Sequence, residues 1–306
     1  MKKFTKSIIL AALLPLSAFA DTKIGVSMAH FDDNFLTVLR EGMSSYAKTQ
    51  KDVNLQFEDA RGDVGRQVSQ VENFISQKVA AIVVNPADTS ATKRMTEAAR
   101  KAGIPIVYVN RKPDEKMGNG AAFVGSDSLV AGHLQGEYIA KKLNGKGNVV
   151  IMQGELSTDA QRDRTQGVKD IFAKFPGIKV VEEQTANFDR SQAINLMSKW
   201  ISAGVKFDAV AANNDEMALG AIIAMKQAKV DPKKIVIGGV DATKDALSSM
   251  QKGELTMTVF QNAKGQGQGA IDAAIKLAKG DKSQAKDIMI PYELVTPQNM
   301  KGYLNR

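Results

Sequence analysis

From Lys23 to Val295 the chain alternates short, nearly continuous apolar runs with longer stretches of helical period, and few folds accept that rhythm. The runs are 23–28, 53–57, 80–84, 104–109, 121–125, 148–152, 178–183, 207–212, 234–240, 255–260 and 288–295. Most are apolar throughout rather than every second residue, the pattern of parallel strands covered by helices on both faces. Gly, Pro, Asn or Asp marks each switch of period. Between the runs, 64–78 sets Val68, Val71, Phe74 and Ile75 on one helical stripe. The segment 90–102 follows the capping types Asp88-Thr89-Ser90 and closes on Lys101-Ala102-Gly103, and further helices are expected over 158–174 and 215–228. Eleven strands and about ten helices fall into two halves of similar rhythm, and 306 residues give room for two domains of ordinary size. The predicted fold class is α/β, with two open parallel sheets, each doubly wound through right-handed crossovers.

Composition narrows the chemistry. The chain has no cysteine, which excludes disulfides, thiolate zinc sites, iron–sulfur clusters and a cysteine nucleophile. It has two histidines, His30 and His133, so no histidine-rich metal site is expected, and no metal or cofactor is assigned. Lys2, Lys3 and Lys6 precede an apolar run from Ile8 to Phe19, closed by Ala18-Phe19-Ala20. This reads as a cleaved secretory signal peptide over 1–20, too short and too interrupted by Pro15 for a membrane span. Its removal takes three lysines and lowers the formal charge from +8 to +5. The remaining cations are interspersed with acids, as in KPDEK at 112–116, so a solvated surface is expected and no nucleic-acid partner.

In open α/β sheets ligands bind beyond the carboxyl ends of the strands. Those ends carry His30-Phe31-Asp32-Asp33-Asn34-Phe35, Asn85-Pro86-Ala87-Asp88, Asn110-Arg111, Gly125-Ser126-Asp127 and Gln153-Gly154-Glu155. Then follow Asn187-Phe188-Asp189-Arg190, Asn213-Asn214-Asp215-Glu216, Asp241-Ala242-Thr243 and Gln261-Asn262. Singly, each is an ordinary turn, because Asn and Asp side chains mimic a backbone bend, and one of Asp32 and Asp33 is expected to cap the helix that follows. Together they offer amides, carboxylates and a guanidinium that bond vicinal hydroxyls, with aromatic faces for the C–H faces of a ring. A neutral polyhydroxylated ring suits this set. Arg162 and Arg164 open the helix over 158–174, where a cation opposes the helix dipole, so a ligand contact is expected of one of them. His133 lies in an amphipathic helix and reads as a surface or half-buried residue. No GxxxxGK[ST] loop or EF-hand pattern occurs, and Gly265-x-Gly267-x-Gly269 has its third glycine one residue early for a dinucleotide fingerprint. Those glycines read instead as close helix packing or a flexible crossover.

The segments 213–225 (NNDEMALGAIIAM), 236–243 (VIGGVDAT) and 258–270 (TVFQNAKGQGQGA), with VNPADTSA, VNRKP, QRDRTQG and ANFDR, resemble the periplasmic sugar-binding proteins of ABC transporters, ribose and galactose type. The opening motif HFDDNFLTVLREGM is most similar to the inositol- and rhizopine-binding members. The resemblance spans the mature chain. It implies two lobes joined by three crossing segments, the N-terminal lobe formed by 21–124 and 263–290, the C-terminal lobe by 125–262 and 291–306. Carried over by motif, the ligand contacts are Asp33, Phe35, Asn85, Asn110 and Arg111 from the first lobe. From the second they are Arg164, Phe188, Asn214, Asp241 and Gln261. Leu36 stands where the family often has a second aromatic, so Phe31 is the alternative cover for the ring. Asn110 replaces the aspartate common in ribose binders, which favours a cyclitol.

The resemblance implies a soluble periplasmic receptor that closes on a cyclitol or monosaccharide and passes it to a membrane permease, as a monomer, without catalysis. A role in presenting ligand to a chemoreceptor is compatible with it and leaves no mark in this sequence. The alternatives are a ribose- or galactose-type receptor and a secreted glycoside-processing enzyme using a pair such as Asp33 and Asp241. A sugar-responsive repressor would need a helix-turn-helix where the leader stands.

Overall fold

The structure is a computed structural model that describes residues 22–306; the leader read over 1–20 lies outside the described residues. The chain begins β1 (Thr22–Met28), α1 (Asn34–Thr49), β2 (Val53–Asp59), α2 (Val64–Ser76), β3 (Ala81–Val84), α3 (Thr92–Lys101), β4 (Ile106–Val109) and β5 (Ala121–Gly125). It continues α4 (Ser128–Lys142), β6 (Lys146–Gln153), α5 (Asp159–Phe172), β7 (Gly177–Thr185), α6 (Arg190–Ser202), β8 (Ala209–Ala212), α7 (Asp215–Gln227) and β9 (Val236–Gly238). It ends α8 (Lys244–Gln251), β10 (Thr258–Phe260), α9 (Ala263–Ala278), β11 (Asp287–Met289) and β12 (Glu293–Val295).

Two sheets form, one per lobe. The first has the order β11-β5-β4-β3-β1-β2, parallel throughout. The second is parallel in the order β7-β6-β8-β9, and bridges Gly238–Met257 and Asp241–Phe260 bring in β10, which pairs antiparallel with β12. In each lobe the first strand, β1 or β6, lies between the next two, so the crossovers diverge there and leave a crevice at its carboxyl end. Edge strand β7 slips register between Val149 and Val150 of its partner, a bulge that twists the edge away from further pairing.

Helices cover both faces of each sheet, as the uninterrupted apolar strands require. In the first lobe Leu39 and Met43 of α1 and Ile271 of α9 pack on one face of the sheet, Val71 and Phe74 of α2 with Met95 of α3 on the other. In the second, Met197 and Trp200 of α6 and Ile222 of α7 face Val168 and Ile171 of α5 across the sheet. The glycine run at 265–269 lies inside α9 and serves close packing: a Cβ on Gly267 would stand 2.5 Å from the Leu39 carbonyl oxygen of α1. The crossover from β5 to α4, that from β10 to α9 and that from β11 to β12 carry the chain between the lobes three times.

Several expectations are corrected. The apolar run over 288–295 is two strands in different lobes, giving twelve among the described residues, because Pro291 breaks it and the chain crosses there. Nine α-helices lie among the described residues, against about ten expected. Helix α3 starts at Thr92 with no side-chain cap; Asp88 instead accepts from the Ser90 amide and hydroxyl, closing a turn before it. The other helices considered run shorter than read, Val64–Ser76, Asp159–Phe172 and Asp215–Gln227, each beginning after an Asp, Thr or Asn cap.

Candidate ligand site between the lobes

The crevices at the ends of β1 and β6 face each other, and between them lies a small cavity of about 30 Å³. That is far below the roughly 300–1,000 Å³ of small-molecule sites, so the two walls stand close together around it. Asp33, Phe35, Leu36, Asn110 and Arg111 line it from the first lobe. Ala160, Arg164, Phe188, Asn214, Asp241 and Gln261 line it from the second. Nine of the ten residues carried over by motif therefore meet at one place.

The tenth, Asn85, does not reach it. Its side chain is fully buried behind the wall, accepting from the Ala29 amide and donating to the Val109 carbonyl and to Asn110 Oδ1. Asn85 thus holds the ends of β1 and β4 together. Phe31 is also outside: it packs on the first lobe's core under the Arg40 guanidinium, 4.2 Å from the ring centroid, whereas Leu36 lines the cavity. The open question of which residue stands beside Phe35 resolves in favour of Leu36.

Each lining residue is aimed by local structure. Asp33 caps α1, one carboxylate oxygen accepting the Leu36 amide at 2.7 Å. Burial, against the pull of that amide and of Arg111, raises its carboxyl above the ordinary range. Asn110 sits at φ 70°, which an asparagine tolerates, and its amide donates to Gln266 Oε1. Of the two arginines at the start of α5, two positions apart and so on different faces, only Arg164 turns inward; Arg162 is exposed and pairs with Asp114. Arg164 donates to the Asn213 carbonyl at 2.7 Å, to Gln261 Oε1 at 2.8 Å and to the Tyr292 hydroxyl at 3.0 Å, while its Nε has no partner. Asn214 caps α7 with its oxygen and donates its amide to the Phe188 carbonyl. Phe188 at φ 59° and Asp241 at φ 127° hold backbone conformations that side chains disfavour. A Cβ on Gly154 would lie 2.0 Å from the Phe188 ring, so that ring needs a glycine beneath it.

Behind Asp241, Asp215 accepts from the Thr258 hydroxyl at 2.7 Å and the Thr243 amide at 2.8 Å, fixing the 241–243 turn. Burial pushes the Asp215 carboxyl up to about 7. The Asp241 carboxyl is also held well above the ordinary range, by burial first, with Arg164 pulling it down and Asp215 pushing it up. The cavity therefore presents acceptors at Asp33 and Asp241 and donors at Arg111 and Arg164, one of each from each lobe.

Glu155, at a strand end, and Tyr292, in the last apolar run, are not among the ten residues carried over by motif. Glu155 reaches from the second lobe to Arg111, 2.8 Å, and to His30, 3.1 Å. Tyr292 was hidden in the last apolar run; the Pro291 before it is the signal that could have revealed a crossing segment. His133 is half-exposed near Asp170, as expected.

A family model described as a periplasmic binding protein domain matches residues 24–282. A Rhizobium meliloti protein named for rhizopine binding is 52% identical, over 99% of each chain. The ribose import binding protein of Bacillus subtilis is 33% identical, over 89% of this chain and 87% of its own. An ABC transporter solute binding protein from Bacillus halodurans C-125, solved with bound myo-inositol, superposes with a TM-score of 0.88 at 45% identity, covering 93% of this chain and 98% of that one. With a family model spanning most of its length and relatives matching end to end, the chain belongs to the periplasmic binding protein family.

Proposed function

We propose that the chain captures a cyclitol, myo-inositol or a close relative, between its lobes and delivers it to the membrane permease of an ABC importer. The observation that carries this is the lining of the cavity, where each lobe contributes one carboxylate, one guanidinium and one phenylalanine to the same small space. Carboxylates accept from vicinal hydroxyls, guanidiniums donate to their oxygens, and Phe35 and Phe188 cover C–H faces. A ligand bonded to both walls stabilises the closed arrangement over the open one, and that difference in affinity drives closure. The similarity to a protein solved with myo-inositol supports the cyclitol, as does Asn110, a neutral amide in place of an acid.

The lobes are taken as 21–124 with 263–290 and 125–262 with 291–306, a division supported by the sheet membership of β5, β10, β11 and β12 and by the packing of α9 on the first lobe's core. The mature receptor begins at Asp21 after cleavage behind Ala20, works in the periplasm as a monomer, and breaks no bond. Chemoreceptor presentation is a compatible second use of the closed form.

A ribose-type receptor is the second reading, favoured by the relative in Bacillus subtilis. Titration calorimetry of the mature chain with myo-inositol, ribose, galactose, glucose and xylose separates the two. Selective one-to-one binding of myo-inositol supports the cyclitol; selective binding of a pentose or hexose replaces it; binding of none, with turnover of a labelled disaccharide, overturns the receptor reading.

A further inference from the structure

The two first strands of the lobes end in residues that meet across the cleft. His30 follows β1 and Glu155 follows β6, so the equivalent positions of the two crevices face each other. Glu155 divides its carboxylate: Oε1 lies 3.1 Å from His30 Nε2 and Oε2 lies 2.8 Å from Arg111 Nη1. The same Nη1 donates to the Pro86 carbonyl at 3.0 Å, which leaves the other donors of Arg111 to the cavity it lines.

Both ends of this contact are built. The turn bearing Glu155 is tied by Thr158, whose amide and hydroxyl both donate to the Glu155 carbonyl, and by the Gly154 amide bonded to Asn213 Oδ1. Opposite, the His30 ring lies against Gly62, where a Cβ would stand 2.8 Å from His30 Cε1. Around them run further cross-lobe bonds, from the Thr89 amide to the Ser157 carbonyl, from the Ser157 hydroxyl to the Ala87 carbonyl, and from Asn34 Nδ2 to Glu216. Those bonds are neutral or exposed. The Glu155 contact, by contrast, reaches a residue that lines the ligand cavity from the opposite lobe.

Resting on the proposed receptor function, we propose that Glu155 is a positioning residue: it closes a clasp on His30 and Arg111 that fixes the Arg111 guanidinium for the ligand only when the lobes are shut. Closure and completion of the first lobe's wall are then one event. Opening returns Glu155 and His30 to water and leaves Arg111 with the Pro86 carbonyl alone.

The clasp has a pH signature. The groups facing His30 are Glu155, Arg111 and Asp33, with Asp32, Asp189, Arg190 and Glu216 around the same opening. The bond to Glu155 is the largest influence and raises the imidazole above its ordinary value against the opposing effect of burial. Burial opposes the charge of Glu155 in turn, but Arg111 and His30 outweigh it and hold its carboxyl at about 2. Because His30 is more basic in the closed form than in the open one, its contribution is complete below histidine's ordinary value of about 6.5 and is lost as pH rises through the raised one.

The chain lacks native cysteine, so cysteines at exposed Lys93 and Lys199, one per lobe, carry spin labels for distance measurement on the mature protein. The clasp predicts that the closed fraction and the affinity for myo-inositol both rise from pH 8.5 to pH 6. In Glu155→Gln the affinity falls about tenfold and its pH dependence flattens; Glu155→Asp recovers part of both. His30→Gln flattens the pH profile while leaving Arg111 its partner, and provides the reading if the Glu155 variant is poorly folded. Unchanged affinity, closed fraction and pH profile in both glutamine variants overturn the clasp. Should the wild type bind no myo-inositol, the ligand assignment fails, and the closed fraction against pH still decides the clasp.

Discussion

Each lobe offers the cavity an arginine, and the two are held in opposite ways. Arg164 is anchored wholly within its own lobe, by Asn213, Gln261 and Tyr292, beside a turn fixed by the buried Asp215. Arg111 has one anchor in its own lobe, the Pro86 carbonyl, and its charged partner, Glu155, stands across the cleft. The backbone repeats the contrast: among the lining residues, the second lobe holds Phe188 and Asp241 at positive φ, the first lobe Asn110. On the proposed clasp, the second lobe's wall is formed before closure, with strain supported by its own core, and the first lobe's wall is completed by closure.

The sharpest way to break this comparison is to remove each arginine. Arg164→Ala strips the donor from three buried acceptors and leaves Asp241 without its cation, so affinity falls at least about a hundredfold and stability drops by about 3–5 kcal/mol, measured by calorimetric titration and urea unfolding. Asp241→Asn comes next. A carboxyl whose native value is raised contributes stability at pH below its ordinary value, and that contribution is lost as pH rises through the raised one. The variant should therefore unfold with a flatter pH dependence and a higher stability than wild type at pH 7 to 8, while affinity falls about ten- to hundredfold through the lost charged hydrogen bond, about 1.5–3 kcal/mol. Arg111→Ala should lose affinity on the same scale, about ten- to hundredfold. Its stability should change by less than about 1 kcal/mol, because lobe opening lets Glu155 return to water. A stability loss as large as that of Arg164→Ala would erase the distinction between the lobes. The smallest effect belongs to Phe31→Leu, which leaves affinity within about twofold because the ring is outside the cavity.

The sequence made the layered α/β architecture legible because buried parallel strands write themselves as uninterrupted apolar runs, and the rule that ligands sit beyond strand ends then reduced the search to a few turns. It could not separate Asn85 from Asn214. Both are asparagines after a short apolar strand, yet the side chain of Asn85 bonds strand ends behind the wall while Asn214 caps a helix at the cavity's edge. That difference depends on which strand end faces the other lobe. Glu155 was unreadable for the same reason, since its partners His30 and Arg111 come from the other lobe and far earlier in the chain. Leu36 stayed open against Phe31 because an aliphatic residue in an amphipathic helix carries no sign that it faces a cavity rather than core.

Hydrogen exchange of the mature chain, with and without saturating myo-inositol, tests the central claim most directly. The amide of Thr89 donates across the cleft to the Ser157 carbonyl. Those of Asp215 and Asp241 donate within the second lobe, to Val240 and Val259. The account predicts that ligand slows exchange strongly at Thr89 and leaves Asp215 and Asp241 slow in both states. Equal protection gained at all three amides, or none at Thr89, would contradict a second-lobe wall that is ready before the lobes close.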